Sequence, residues 1–182
     1  MRRVCERELL HRGAKFDFER VWLEPPGGGE PVAREVVRHP GAVVVLGLTE
    51  TPAGEPAAVL IRNERFAVGE TLWELPAGTL EPGEEPAACA GRELEEETGY
   101  RAASVEGLCT FYTTPGMTDE KMHAFVARGL EHVGQRLEED ERIEPRVLGV
   151  REVMGLVDGG GLVDGKSLTA LLVAARRGVL GG

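Results

Sequence analysis

Hydrophobic residues alternate with polar ones over the first forty positions and then condense into solid runs. Phe16, Phe18 and Val21 mark one alternating run, and Val32, Val36 and Val37 mark a second. The turn-rich PPGGGEP lies between them, which predicts a β-hairpin. From 41 to 49 the chain reads GAVVVLGLT, an apolar run suited to a strand covered on both faces. AAVLIRNERF (57–66) predicts a second strand, paired to the first through ETPAGEP, and TLWELPAG (71–78) a short extended piece as far as Pro76.

Helix signals follow. Pro86 suits a first helical turn, Glu84 and Glu85 lie near its electropositive end, and Gly99 stands where a C-terminal cap belongs. The expected helix spans 86–98, with Ala87, Ala90, Gly91 and Leu94 along one packed side. ASVEGLCTFYTT (103–114) and KMHAFVARGLE (121–131) read as strands around the loop TPGMTDE. RLEEDERIEPRVLGV mixes an acidic stretch with a strand. REVMGLVDGG then predicts a short helix and DGKSLTALLVAARRG a terminal one, capped by Asp164 or Ser167 and stopped at Gly178. Strands in the middle with helices around them make the class mixed, α/β (α+β).

Composition narrows the function. The 182 residues carry a net charge of −10, which disfavours nucleic acid as the main partner. Phosphates remain open as ligands where metal ions or a local arginine group supply positive charge. Cys5, Cys89 and Cys109 are odd in number and lack CxxC spacing, so the expectation is reduced thiols in the cytoplasm. No run approaches 18 apolar residues, and the N-terminus lacks the apolar core of a signal peptide, so no membrane partner is expected.

The candidate chemistry sits on the predicted helix 86–98. Glu93, Glu96 and Glu97 are spaced i, i+3 and i+4 and share one face, while Glu95 points elsewhere. Like charges at this spacing destabilise a helix, and the dipole at its C-terminal end disfavours anions further. A divalent cation offsets both costs; Mg²⁺ and Mn²⁺ prefer oxygen ligands of this kind. Arg92 and Glu84 are placed to brace the cluster.

Gly78, Glu84 six residues on, and then Arg92-Glu93-Leu94-x-Glu96-Glu97-x-Gly99-Tyr100 together resemble the complete Nudix box; Tyr100 is the one soft departure, at a position where an aliphatic residue is commoner. The resemblance implies an α/β/α sandwich with a mixed sheet, hydrolysing a nucleoside diphosphate linked to another moiety. It makes Glu93 and Glu97 principal metal ligands, Glu96 a further one and the Ala77 carbonyl another, with Arg92 orienting Glu84 and the cluster.

Outside the box, LWELPAG, the FYTTPGMTDEKMHAFVA segment and the N-terminal strands resemble the ADP-ribose pyrophosphatase branch. This implies a small N-terminal antiparallel β-lobe (1–40) that forms a homodimer, and a Nudix hydrolase domain (41–182). It also implies Mg²⁺, with Mn²⁺ as an alternative, and a nucleoside diphosphate sugar as substrate. Arg62 matches a phosphate-binding arginine of the branch; Phe16 is the candidate for stacking on adenine, Arg34 a weaker candidate, and Gly116 gives backbone that a ligand can approach. The general base is expected from EEDERIE (138–144), at Glu141 or Glu139, with Glu120 as runner-up. GDP-mannose or another nucleoside diphosphate sugar is the close alternative, and a non-catalytic ligand sensor the distant one.

Overall fold

The computed structural model describes residues 2–137 and 142–181. Three strands come first, β1 (Val4–Arg12), β2 (Asp17–Leu23) and β3 (Val32–Arg38), paired antiparallel in the order β1-β2-β3. The expected hairpin is β2–β3. β1 lies in a stretch whose alternation is masked by charge, VCERELLHR, and its side chains are almost all exposed. This sheet buries only Val21 among its hydrophobics, so it has no core of its own.

The second sheet holds β4 (Ala42–Glu50), β5 (Pro56–Arg65), β6 (Glu70–Glu74), β7 (Ala77–Thr79), β8 (Tyr100–Tyr112), β9 (Lys121–His132) and β10 (Ile143–Gly149). Its path is β10-β5-β4-β9-β8; β4 runs parallel to β9, and the other pairs are antiparallel, so the sheet is mixed. The unbroken run in β4 is buried from Ala42 to Gly47, as expected of a central strand. Its alternate residues feed two cores. Val43 and Val45 pack with Cys89, Ala90 and Leu94 of α1 (Pro86–Thr98). Val44 and Leu46 pack with Val153 of α2 (Val150–Asp158) and Ala170, Leu171 and Ala174 of α3 (Gly165–Arg176). The result is an α/β/α sandwich with a small antiparallel sheet added at the N-terminus.

Two features position the site. β4 and β5 pair over Gly47–Glu50 and Pro56–Val59 and then part, β5 continuing against β6 and β4 against β7. The chain crosses this split at Leu75 and Pro76, where Val45 N–H donates to the Pro76 carbonyl at 2.8 Å. The N-terminal sheet is joined to the loop after β8. Val37 N–H donates to Met117 O at 2.9 Å, Arg38 pairs with Asp119 at 2.9 Å, and His39 N–H donates to the same carboxylate.

Candidate active site

Helix α1 has the span the sequence predicts. Pro86 opens it, and Gly99 ends it in the left-handed region at φ 75°. Gly99 is needed for a second reason: a Cβ there would lie 2.8 Å from Gln135 N. The buried side differs from the expected one. Cys89, Ala90, Leu94, Glu97 and Thr98 are buried, whereas Ala87, in the first turn, is exposed. Glu97 is among the buried residues; only 4% of it is exposed.

Each carboxylate of the box is held. Ala77 N–H donates to Glu97 Oε2 at 2.8 Å, so the crossing strand aims that side chain. Glu93 lies over Gly78, where a Cβ would sit 1.8 Å from its carboxyl carbon and 1.9 Å from Oε1; only glycine leaves room for this carboxylate. Arg92 forms a fork with Glu84, Nε to Oε1 at 2.9 Å and Nη2 to Oε2 at 3.0 Å. Its Nη1 donates to Glu93 at 2.8 Å and to Glu96 at 3.0 Å. The fork holds the Glu84 carboxyl down at about 2 and raises Arg92 in turn. Burial pushes the Cys89 thiol, beneath this fork, up to about 12. Glu95 points away, to Arg101 and Arg136, each at 2.8 Å.

With Arg92 holding Glu93 and Glu96, no three His, Cys, Asp or Glu groups among the described residues converge on one point. The donor set nevertheless fits a hard cation: it is all oxygen, on one helix face, with one carboxylate fixed by Ala77 and another cradled on Gly78.

The C-terminal end of α1 is satisfied from outside. Arg136 N–H donates to Glu96 O at 3.0 Å, and Gln135 Nε2 donates to Glu97 O at 2.6 Å and to Ile143 O at 3.2 Å. Gln135 thus ties the end of α1 to Ile143 at the start of β10. Glu139 and Glu141 lie outside the described residues. Glu120 accepts from Thr113 Oγ1 at 2.5 Å and stands 3.7 Å from His39 Nε2.

The candidate substrate residues are spread out. Arg62 stacks on Trp73, 5.0 Å from the ring centroid, and pairs in register with it. It shares its face of β5 with Leu60, which packs in the core of α2 and α3. Phe16 is half exposed in the β1–β2 turn, Arg34 is exposed on β3 and donates to Ala33 O, and Gly116 lies in the open turn after β8.

Sequence reading passed over Arg65. It grips Glu74 with Nε at 2.7 Å and Nη2 at 2.6 Å, and is raised chiefly by that bond, with Glu97 among the charges acting on it. Its signal was a basic residue three positions past Arg62, which period-two alternation sends to the opposite face.

A family model described as the NUDIX domain matches residues 38–171. The ADP-ribose pyrophosphatase of Bacillus subtilis (strain 168) is 37% identical over 171 residues, covering 93% of this chain and 90% of its own. A methanol dehydrogenase activator of Bacillus methanolicus is 39% identical with the same coverage. A solved structure titled as an ADP compounds hydrolase superposes with a TM-score of 0.80 at 22% identity, over 98% of this chain and 94% of its own. The chain belongs to the NUDIX domain family and is a hydrolase of that family. No helix among the described residues is long and apolar enough to cross a membrane.

Proposed function

We propose that the protein hydrolyses the pyrophosphate bond of ADP-ribose to AMP and ribose 5-phosphate, using a divalent cation, with Mg²⁺ the first choice and Mn²⁺ the alternative. The observation that carries this reading is the pair of fixed carboxylates, Glu97 on Ala77 N–H and Glu93 over Gly78. A Bacillus subtilis relative named for this activity, similar over nine-tenths of both chains, supports the substrate.

Glu93, Glu96 and Glu97, with the Ala77 carbonyl, would hold the cation. When bound, it neutralises diphosphate charge and makes water a better nucleophile. Arg92 releases Glu93 and Glu96 for that role while its fork keeps Glu84 in place. Water adds to one phosphorus, the bond from that phosphorus to the bridging oxygen breaks, and the water proton passes to a carboxylate base, Glu141 or Glu139. Arg65, with Nη1 outside its fork on Glu74 and its side chain 42% exposed, carries positive charge that acts on both Glu97 and Asp164. Arg62, Arg34, Phe16 and Gly116 complete the substrate set. Residues 1–40 form the lobe through which two copies pair, 41–182 form the hydrolase domain, and the setting is the cytoplasm.

Incubation with a panel of nucleoside diphosphate sugars plus Mg²⁺, followed by anion-exchange chromatography, tests this. ADP-ribose should disappear with equimolar AMP. Turnover of GDP-mannose with ADP-ribose untouched would overturn the substrate, and no turnover of any of them would overturn the activity.

A further inference from the structure

The motif DGKSLTALL, read from sequence only as a helix start, makes contacts that capping does not require. Asp164 is the N-cap of α3 and accepts from Ser167 N–H at 3.0 Å, an ordinary cap. Ser167, however, is fully buried, and its hydroxyl donates to Asp164 at 2.5 Å while accepting from Leu75 N–H at 2.7 Å. Lys166 reaches the preceding residue: Nζ lies 2.5 Å from Oε2 of Glu74, whose side chain is wholly buried, and 3.0 Å from Asp164. Consecutive residues of α3 therefore hold consecutive residues of the crossing strand, one by its side chain and one by its backbone.

The strand needs such support. Residues 74–77 cross the split between β5 and β4, and Pro76 has no N–H to bond. Fixing Leu75 N–H on one side and Pro76 O on the other, where Val45 donates, leaves little freedom at Ala77. Ala77 N–H is the donor that aims Glu97. Glu74, in the same stretch, grips Arg65 and shares its Oε2 with Lys166.

We propose that Ser167 and Lys166 are positioning residues for the hydrolytic reaction: from the first turn of α3, across the sheet from α1, they set the backbone of residues 74–77 and through it the aim of Glu97 and Arg65. This rests on the proposed hydrolysis. No contact with substrate is assigned to either residue.

The test uses the full chain with Ser167→Ala, which removes the acceptor, Ser167→Cys, a near-isostere with a weaker acceptor, and Lys166→Met. Two quantities are read: steady-state kinetics with ADP-ribose well below the melting temperature, and amide hydrogen exchange at Leu75 and Ala77. Ser167→Ala should lower kcat about tenfold or more with KM within about twofold, Ser167→Cys should fall between it and the parent, and Lys166→Met should follow the same direction. Exchange should quicken at Ala77 as well as Leu75 in Ser167→Ala. A lower melting temperature with unchanged kcat, or faster exchange confined to Leu75, would overturn the proposal and leave a purely structural cap. If the parent does not hydrolyse ADP-ribose, the functional reading fails, and exchange at Ala77 still decides whether α3 sets the strand.

Discussion

Ala77 N–H and Glu97 Oε2 are 2.8 Å apart, joining the strand that enters the Nudix box to the helix that ends it. The bond spans twenty residues of chain and leaves the acid 4% exposed. A carboxylate placed so deeply near a helix C-terminus is electrostatically costly, and the Arg65 guanidinium is one positive charge that acts on it.

Glu97→Gln keeps the shape and an oxygen that can accept from Ala77, but removes the charge. Turnover of ADP-ribose should fall by at least about 100-fold, with circular dichroism and melting temperature close to the parent. Chromatographic rates at saturating Mg²⁺ check this; a change below about threefold would remove Glu97 from the ligand set.

Gly78→Ala should damage the site by sterics. The added methyl would overlap the Glu93 carboxylate, so either the side chain or β7 must shift. We expect a loss of roughly 1–3 kcal/mol in urea unfolding and a larger proportional loss of activity. Normal activity would show that Glu93 works from another rotamer.

The Arg92–Glu84 fork makes stability depend on pH. The Glu84 carboxyl titrates at about 2 in the folded chain, below its ordinary value of 4.5. Its contribution is present above about pH 4.5 and is lost as pH falls toward 2. Arg92→Lys cannot reproduce the two-bonded geometry and should flatten that part of the curve. Melting temperatures from pH 5 to pH 2.5 compare the two proteins; equal slopes would contradict the assignment.

Thiol chemistry gives a fourth check. With Cys89 buried and pushed up to about 12, and Cys109 also raised by burial, Cys5 is the exposed thiol. One equivalent of iodoacetamide should react quickly with the native protein at pH 8, with mass spectrometry locating it at Cys5. Rapid labelling of Cys89 would show that α1 opens away from the sheet.

Much of the architecture was legible because it is local. Helix α1 was bounded by Pro86 and Gly99, and β4 by an apolar run that nothing interrupts. The N-terminal strand β1 was not, because Glu6, Arg7 and Glu8 hide its period in a sheet with little burial to enforce one. The acidic face of α1 followed from i, i+3, i+4 spacing, and the family from the box. What held those acids in place did not. Ser167 meets Leu75, and Lys166 meets Glu74, across 92 residues of chain; Gln135 meets Glu97 across 38. Such partners are brought together by the sheet's topology and leave no periodic trace. Arg65 was missed for a simpler reason: Arg62 matched a motif, and one strand cannot send both to the same face.

The acidic face of α1 is expected to bind divalent cations in the presence of a diphosphate. Titration calorimetry of Mn²⁺ into the protein, with a non-hydrolysable ADP-ribose analogue present, addresses it directly. Saturable binding that weakens at least about tenfold in Glu97→Gln is the expected result. Equal binding by both proteins, or none by the parent, would contradict it.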